Sequence, residues 1–138
     1  MSDTTALEQA AAALARRDRS AAALAAYLEE RGVGGEEAAE AVERLRTAGY
    51  LDDRRLATLR ADTLAGRGYG DAAIQADLER HRIESELIDQ AMGELPAESV
   101  RAETLAGRDG RTAQTARRLV AKGFAADTVA EAMRAELA

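Results

Sequence analysis

Two neighbouring carboxylates, Asp52 and Asp53, are the first residues here that could do chemistry. Paired carboxylates can hold the metal ion of a nuclease, in which the metal activates water and orients the substrate. However, residues adjacent in sequence at the start of a helix do not face one another. Asp is also a preferred N-cap residue. The pair therefore favours helix capping over a metal site.

A glycine-rich segment, Gly66-Arg67-Gly68-Tyr69-Gly70, has the composition of a phosphate-binding loop. Its glycines could expose backbone N–H groups to an anion at the start of a helix. No strand-like run precedes it, and no Gly-Lys-Ser/Thr follows it, as the phosphate loop of a nucleotide-binding enzyme requires. The segment favours a plain turn between two helices.

The chain has one histidine, His81, and no cysteine. The absence of cysteine excludes a disulfide framework, a thiol nucleophile and a Cys-based zinc site. A lone histidine without a second nitrogen or sulfur ligand favours a solvated side chain over a transition-metal site. We expect no catalytic residue, no metal and no cofactor.

Basic residues form the remaining candidate site. They could bind an acidic protein surface or nucleic-acid phosphates, or could simply be solvated, and the sequence leaves these alternatives open. A first group lies in predicted turns between helices, and a second lies near the C-terminal end. The candidates are Arg16, Arg17, Arg19, Arg67, Arg108 and Arg111 in the turns, and Arg117, Arg118 and Lys122 in the second group.

The elements that position these residues follow from a spacing that occurs three times, centred on Val33, Ile83 and Phe124. Each copy has a leucine five positions before its centre and apolar residues five and nine positions after it. Apolar residues four apart share one face of a helix, so each copy predicts two amphipathic helices joined by a turn. A third helix precedes each pair. The leucines are Leu28, Leu78 and Leu119.

Composition agrees with a helical protein. Of the 138 residues, 46% are hydrophobic, 32% are charged and 3% are aromatic, and no run alternates for long enough to predict a strand. We therefore predict an all-α fold of three tandem three-helix repeats, stacked as an elongated, curved module. The predicted repeats are residues 1–51, 52–95 and 96–138. Stacked helical repeats favour binding over catalysis.

Charge and hydropathy indicate which partners and which cellular compartment to expect. Residues 1–51 contain six basic and nine acidic residues, 52–95 six and ten, and 96–138 seven and six, so their net charges are −3, −4 and +1. The third repeat is thus the least repulsive to phosphate. The beginning of the sequence lacks the basic and apolar regions of a secretory signal, and no stretch is apolar enough for a membrane span. We expect a cytoplasmic protein with no membrane partner.

Several segments, in order, resemble the RecX family of RecA regulators. The clearest is Ala48-Gly49-Tyr50-Leu51-Asp52-Asp53-Arg54-Arg55-Leu56-Ala57, and the match covers nearly the whole chain. Further similar segments are Arg17-Asp18-Arg19-Ser20 with Leu24, Leu28 and Gly32, then Gly68-Tyr69-Gly70 with Ile74, Leu78 and Ile83, and then Arg117-Arg118-Leu119 with Lys122-Gly123-Phe124.

Four positions depart from the family pattern. Asp71 follows Gly70 where the family commonly has proline, and Leu56 and Leu59 occupy positions that are often aromatic. Arg82 replaces a usual glycine before Ile83. Arg82 can end a helix if its φ stays negative or if the turn accepts modest strain.

The resemblance implies a regulator that binds RecA and the RecA–DNA filament and restrains filament growth, ATP hydrolysis and strand exchange. It also implies roles in recombination regulation, DNA repair and the SOS response, a monomeric state, and a structural role for Gly49, Tyr50, Leu51, Asp52 and Asp53. A weak contact with single-stranded DNA stays open. The alternatives are a helix-turn-helix-like nucleic-acid-binding module and a scaffold unrelated to recombination.

Overall fold

The computed structural model describes residues 5–134. Within that range the chain forms nine α-helices and no strand, which confirms the predicted all-α fold. The helices are α1 (Ala6–Arg16), α2 (Ala21–Glu30), α3 (Gly35–Thr47), α4 (Asp53–Gly66), α5 (Asp71–Arg80), α6 (Ser85–Glu94), α7 (Glu98–Asp109), α8 (Ala113–Ala121) and α9 (Ala126–Arg134).

Consecutive helices form three units of three, and the extensive helix packing lies inside each unit. Each unit buries its own apolar core. Leu28, Leu78 and Leu119 are 0%, 0% and 3% exposed, one in each core, so their predicted equivalence is confirmed. The tandem helical repeats are therefore present, while the exact boundaries after residues 51 and 95 stay a prediction.

The three repeat centres share one turn geometry. Val33, Ile83 and Phe124 each donate the backbone N–H to the carbonyl oxygen five residues earlier, at 3.0, 3.3 and 3.0 Å. This bond defines a Schellman turn, which ends a helix with a left-handed residue. That residue is Gly32 (φ 90°), Arg82 (φ 57°) or Gly123 (φ 97°).

Arg82 is the one non-glycine residue with positive φ between residues 5 and 134, so the turn accepts the strain. A left-handed conformation costs a non-glycine residue roughly 1 to 2 kcal/mol. Because glycine also adds freedom to the unfolded chain, we expect Arg82→Gly to raise the free energy of unfolding by roughly 0.5 to 1 kcal/mol. Urea denaturation measures this. Arg82→Ala keeps the Cβ, so its free energy of unfolding should equal that of the wild type. If Arg82→Ala were stabilised as much as Arg82→Gly, the cause would be removal of the arginine side chain and not relief of backbone strain.

Successive units meet end to end through their second helices. The hydroxyl of Ser20, the N-cap of α2, donates to the carbonyl oxygen of His81 at the end of α5. Likewise, Gly70 at the start of α5 donates its backbone N–H to the carbonyl oxygen of Lys122 at the end of α8, at 2.8 Å. Helices α2, α5 and α8 therefore form one row, in which each helix begins where the next one ends.

The joint between the second and third units is a close backbone contact. A Cβ on Gly70 would lie 2.4 Å from the backbone nitrogen of Phe124 and 2.5 Å from the carbonyl carbon of Gly123. A Cβ on Gly123 would lie 2.7 Å from the backbone nitrogen of Ala73. Thus the glycine-rich segment predicted as a plain turn contains the contact point between two units.

An acidic residue at the first position of α4 and of α7 reinforces both joints. Asp53 accepts a hydrogen bond from the backbone N–H of Ala21 at 2.8 Å. Glu98 accepts from the backbone N–H of Asp71 at 2.7 Å and from that of Ala125 at 3.0 Å. Because Ala21 and Asp71 begin α2 and α5, each acid satisfies an N–H that lacks a partner within its own helix.

The prediction that Asp52 and Asp53 both cap their own helix is therefore wrong for Asp53. Asp52 is the N-cap of α4 and accepts from the backbone N–H of Arg55 at 3.1 Å. Asp53 reaches the preceding unit instead, because the first turn of α4 lies against the start of α2. Since Gly49 ends α3 with φ 87° and Leu51 is buried in the first core, this segment ties two units together.

Burial raises the pKa of the Asp53 carboxyl, and repulsion from Asp52 and Glu84 adds to the effect. Asp53→Asn keeps an acceptor for the Ala21 N–H without the charge, so its free energy of unfolding at neutral pH should equal or exceed that of the wild type. Asp53→Ala loses the bond and should cost about 1 kcal/mol.

The sign of the pH dependence follows from the raised pKa. The penalty on wild-type Asp53 is absent below the unfolded-state pKa, grows as the pH rises from that value to the folded-state pKa, and is complete above it. Urea denaturation of the wild type and the Asn variant from about pH 4 to about pH 8 measures the difference. If the wild type became more stable relative to Asp53→Asn as the pH rose, the raised pKa of Asp53 would be wrong.

Three glycines belong to helices and not to the turns between them. Gly66, Gly93 and Gly107 fall near the ends of α4, α6 and α7. The glycines with positive φ that follow α4 and α7 are Gly68 and Gly110, with φ values of 86° and 99°. A single glycine costs a helix only about 1 kcal/mol, which core packing by its neighbours offsets.

The units form a stack and share no single core, because the extensive helix packing stays within each unit. End-to-end units leave more of their sides open to solvent than one shared core would. Those sides present the candidate functional surface.

Candidate functional site

Four of the predicted cations meet at the junction of the second and third units. Arg67, Arg108, Arg118 and Lys122 line one depression between α4, α7 and α8. Lys122 Nζ lies 4.3 Å from the centre of the Tyr69 ring and donates to the Arg67 carbonyl oxygen at 3.1 Å. This side of the junction is therefore cationic, and Lys122 is held in place by Tyr69 and the Arg67 carbonyl oxygen.

Asp109 is the acid within this depression. Arg108 Nε lies 2.9 Å from Asp109 Oδ1, and Arg118 Nη1 lies 3.5 Å from Oδ2. The hydrogen bond from Arg108 lowers the pKa of the Asp109 carboxyl. One carboxylate thus faces two guanidinium groups, which leaves the depression with excess positive charge.

A second cationic cluster surrounds Tyr27 in the first unit. The guanidinium carbons of Arg19, Arg31 and Arg16 lie 4.3, 4.5 and 5.7 Å from the centre of the Tyr27 ring. Burial lowers the pKa of Arg19, and repulsion from Arg17 adds to it. In the part of the chain that the structure describes, no ion pair joins any of these arginines to a carboxylate.

A shallow trough along the outer side of α4 connects the two clusters. It consists of three adjoining depressions, and neighbouring depressions share lining residues: Asp18, Leu56 and Leu59 at one boundary and Arg67 at the other. It runs from Leu14 and Arg19 in the first unit to Arg118 and Lys122 in the third. We call this surface the α4 trough.

The remaining predicted cations differ in their surroundings. Arg111 has a side chain only 16% exposed, forms an ion pair with Glu103 and donates Nε to the Ala132 carbonyl oxygen at 3.1 Å. It therefore fastens the turn between α7 and α8 to α9. Arg17 and Arg117 are exposed and do not line the trough. The partner-binding role of the nine predicted residues stays a prediction.

Arg55, Leu59 and Arg60 on α4 also line the trough, although the sequence did not indicate them as candidate site residues. Arg55 and Leu59 are four residues apart and so share a helix face, which was the available signal. Arg60 is held by Asp77, with Nε 2.6 Å from Oδ2, and this hydrogen bond lowers the pKa of Asp77. This face of α4 lies between the first and third units. The cations of those two units lie beside it only in the folded chain.

Three of the four aromatic residues anchor the packing of the repeats. Phe124 is buried, and Tyr27 and Tyr69 pack against cores. Tyr50 is 75% exposed and therefore does not anchor this packing. The turn at the end of α3 directs Leu51 into the core, and Tyr50 lines the end of the α4 trough instead.

His81 is part of the first joint and is only partly exposed. Its Nδ1 lies 2.9 Å from the Asp77 carbonyl oxygen, four residues earlier on α5. Within residues 5–134, no three His, Cys, Asp or Glu side chains are grouped so that they could hold a metal ion. The helices of the same range are each too short or too polar to cross a membrane.

The sequence matches two family models. The first three-helix domain of RecX matches residues 6–45, and the second three-helix domain of RecX matches residues 52–92. Regulatory protein RecX of Trichlorobacter lovleyi is 35% identical over 113 residues, which are 81% of this chain and 66% of that protein. Regulatory protein RecX of Xanthomonas oryzae pv. oryzae is 38% identical over 90 residues, 65% of this chain and 56% of that protein. The chain thus spans little more than half of the first curated relatives it matches.

Two solved structures have the same fold. The crystal structure of RecX from Lactobacillus salivarius aligns with a TM-score of 0.76 at 16% identity and covers 94% of this chain and 92% of that one. A crystal structure titled regulatory protein RecX aligns with a TM-score of 0.71 at 20% identity and covers 89% of this chain and 68% of that one. At these identities the likeness concerns the fold.

Proposed function

The chain belongs to the RecX family, and we propose that it regulates RecA by direct contact. In this proposal it binds RecA and the RecA–DNA filament and inhibits filament extension, ATP hydrolysis and strand exchange. It acts as a monomer in the cytoplasm, within recombination, DNA repair and the SOS response. It needs no cofactor.

The observation that carries the proposal is the α4 trough, which crosses all three units. A filament offers the same protomer surface again and again, so a surface of this length can contact more than one protomer. Linked contacts raise affinity, because the second contact forms at a high effective concentration once the first has formed. The cationic clusters at both ends of the trough supply two such contact points.

Regulation of this kind requires no catalytic step. A protein that binds one state of an assembly better than another shifts the equilibrium by its differential affinity alone. We therefore propose a non-enzymatic regulator, in which the candidate residues bind and orient the partner. Asp52 and Asp53 keep structural roles in this account.

The alternative is a helix-turn-helix-like nucleic-acid-binding module. It is favoured by exposed arginines without a carboxylate partner among the described residues, such as Arg17, Arg55 and Arg117. The two functions differ in salt dependence, because phosphate binding releases counterions and weakens steeply as salt rises. A regulator that contacts RecA should bind bare DNA weakly at about 150 mM salt.

The test is RecA-catalysed ATP hydrolysis on single-stranded DNA with increasing amounts of the protein. We expect slower hydrolysis and slower strand exchange at substoichiometric or near-equal ratios. The triple variant Arg19→Glu, Arg67→Glu and Arg108→Glu should inhibit less. Its helicity should be unchanged, because Arg67 and Arg108 are exposed and the half-buried Arg19 lies outside the apolar core of its unit. Its control reverses two exposed arginines outside the trough, Arg44 and Arg134. Equal inhibition by both variants would show that the trough does not contact RecA.

A further inference from the structure

The floor of the α4 trough contains an uncovered aliphatic side chain. Leu59 lies in the middle of α4 and is 49% exposed. Leu14 of the first unit and Leu56 line the trough beside it. Neither neighbouring unit covers Leu59, although it occupies the centre of the surface that joins them. A partner that packed an apolar side chain against it would bury area that the chain leaves open to water.

Cations flank this apolar centre. Arg55 precedes Leu59 by one helical turn, and Arg67 follows it by two. Both are exposed, and neither forms an ion pair with a carboxylate within residues 5–134. Arg19 lies across the trough, stacked on Tyr27. In a chain of net charge −6, this concentration of unpaired arginine selects for an anionic partner.

We propose that the α4 trough docks an acidic peptide segment of the partner that carries a large apolar anchor residue. The anchor packs on Leu59, and carboxylates on either side of it pair with Arg55 and Arg67. Arg67 follows Arg55 by twelve residues along α4 and its C-cap, about 18 Å, which roughly six residues of extended chain can span. This proposal deepens the proposed function, because it names the chemistry of the partner surface.

The surface favours a peptide over a nucleic-acid strand. Bases bind to single-strand sites by stacking on aromatic rings, whereas the centre of this trough is aliphatic. The Tyr27 ring is covered by guanidinium groups, and Tyr50 lies at one end only. Asp18, Asp52 and Asp109 also line the trough and would repel a continuous row of phosphates. Separate carboxylates on a peptide can avoid these three acids.

The experiment compares Leu59→Glu with Val100→Glu in binding to RecA filaments on single-stranded DNA. Val100 is a matched control, since it is an aliphatic residue that is 56% exposed and lies outside the trough. A charge on the anchor site should weaken binding about tenfold or more, and the control should change it less than about twofold. Leu59→Ala, which adds no charge, should weaken binding about threefold. Circular dichroism checks that all variants keep their helicity.

A photo-crosslink identifies the occupant. Leu59→p-benzoylphenylalanine, irradiated in the complex, should join to a RecA segment that contains acidic residues around a large apolar residue. A crosslink to the DNA strand, or to a RecA segment without acidic residues, would overturn the docking proposal. Filament binding that was equally strong in wild type, Leu59→Ala and Leu59→Glu would also overturn it while leaving RecA regulation intact. A wild-type chain that did not bind the filament would remove both proposals.

Discussion

Gly70→Ala is expected to separate the third unit from the second. The added Cβ would meet backbone atoms of Gly123 and Phe124 at 2.4 to 2.6 Å, and backbone cannot move aside as a flexible side chain can. The joint would open and lose the 2.8 Å hydrogen bond from Gly70 to Lys122. Overpacking together with lost buried hydrogen bonds should lower the free energy of unfolding by roughly 3 to 5 kcal/mol.

Other contacts at this joint would be lost with it. Arg101 is buried and donates to Asp71 Oδ1 at 2.7 Å and to the Tyr69 carbonyl oxygen at 2.9 Å, with its guanidinium 5.6 Å from the centre of the Phe124 ring. These groups hold the second unit to the third. If the joint opens, the α4 trough is interrupted beyond Arg67. We therefore expect inhibition of RecA by Gly70→Ala to fall along with stability.

Gly66→Ala is the matched control for this change. Gly66 lies within α4, and a Cβ there meets nothing within 4 Å. Alanine at this position should stabilise the chain by about 0.5 to 1 kcal/mol, since glycine is a poor helix former. Chemical denaturation measures the free energy of unfolding of both variants. A Gly70→Ala protein as stable as Gly66→Ala would show that the units do not meet as described.

Leu78→Ala should be the most disruptive single change in the cores. Leu78 is fully buried in the second unit, and both neighbouring units are joined to that unit by hydrogen bonds. Removing a fully buried leucine side chain costs roughly 2 to 5 kcal/mol, which is a large part of the total of about 5 to 15 kcal/mol. Leu28→Ala and Leu119→Ala should cost less, because each end unit supports one neighbour.

Leu59→Ala serves as the control for Leu78→Ala, since it removes the same side chain from the same unit at a half-exposed position. It should change the free energy of unfolding by less than about 1 kcal/mol. Thermal and urea denaturation would show the difference. If Leu78→Ala were no more harmful than Leu59→Ala, the repeat register would be wrong.

Local patterns predicted the elements of this fold. The spacing around Val33, Ile83 and Phe124 depends only on the helical repeat and on the turn that ends a helix, and both are set within a few residues. Acids at the start of the third helices, among them Glu36 and Asp127, fit the same register. The sequence therefore predicted three helical units and their buried leucines.

Contacts between units could not be predicted from such patterns. The Ser20 to His81 bond joins residues 61 positions apart, and no periodicity links their types. The close approach of Gly70 and Gly123 depends on how two finished units fit together. Asp53 was assigned to its own helix for the same reason. The α4 trough exists only because this stacking places the loop after α1 and the end of α8 beside α4.

Co-sedimentation with RecA filaments on single-stranded DNA, at about 150 mM salt, is the decisive measurement of RecA binding. We expect the full chain to sediment with filaments and the Arg19→Glu, Arg67→Glu and Arg108→Glu variant to bind less. We expect little retention on the same DNA without RecA. Tight binding to bare DNA together with no added binding when RecA is present would refute RecA binding and favour the nucleic-acid-binding alternative.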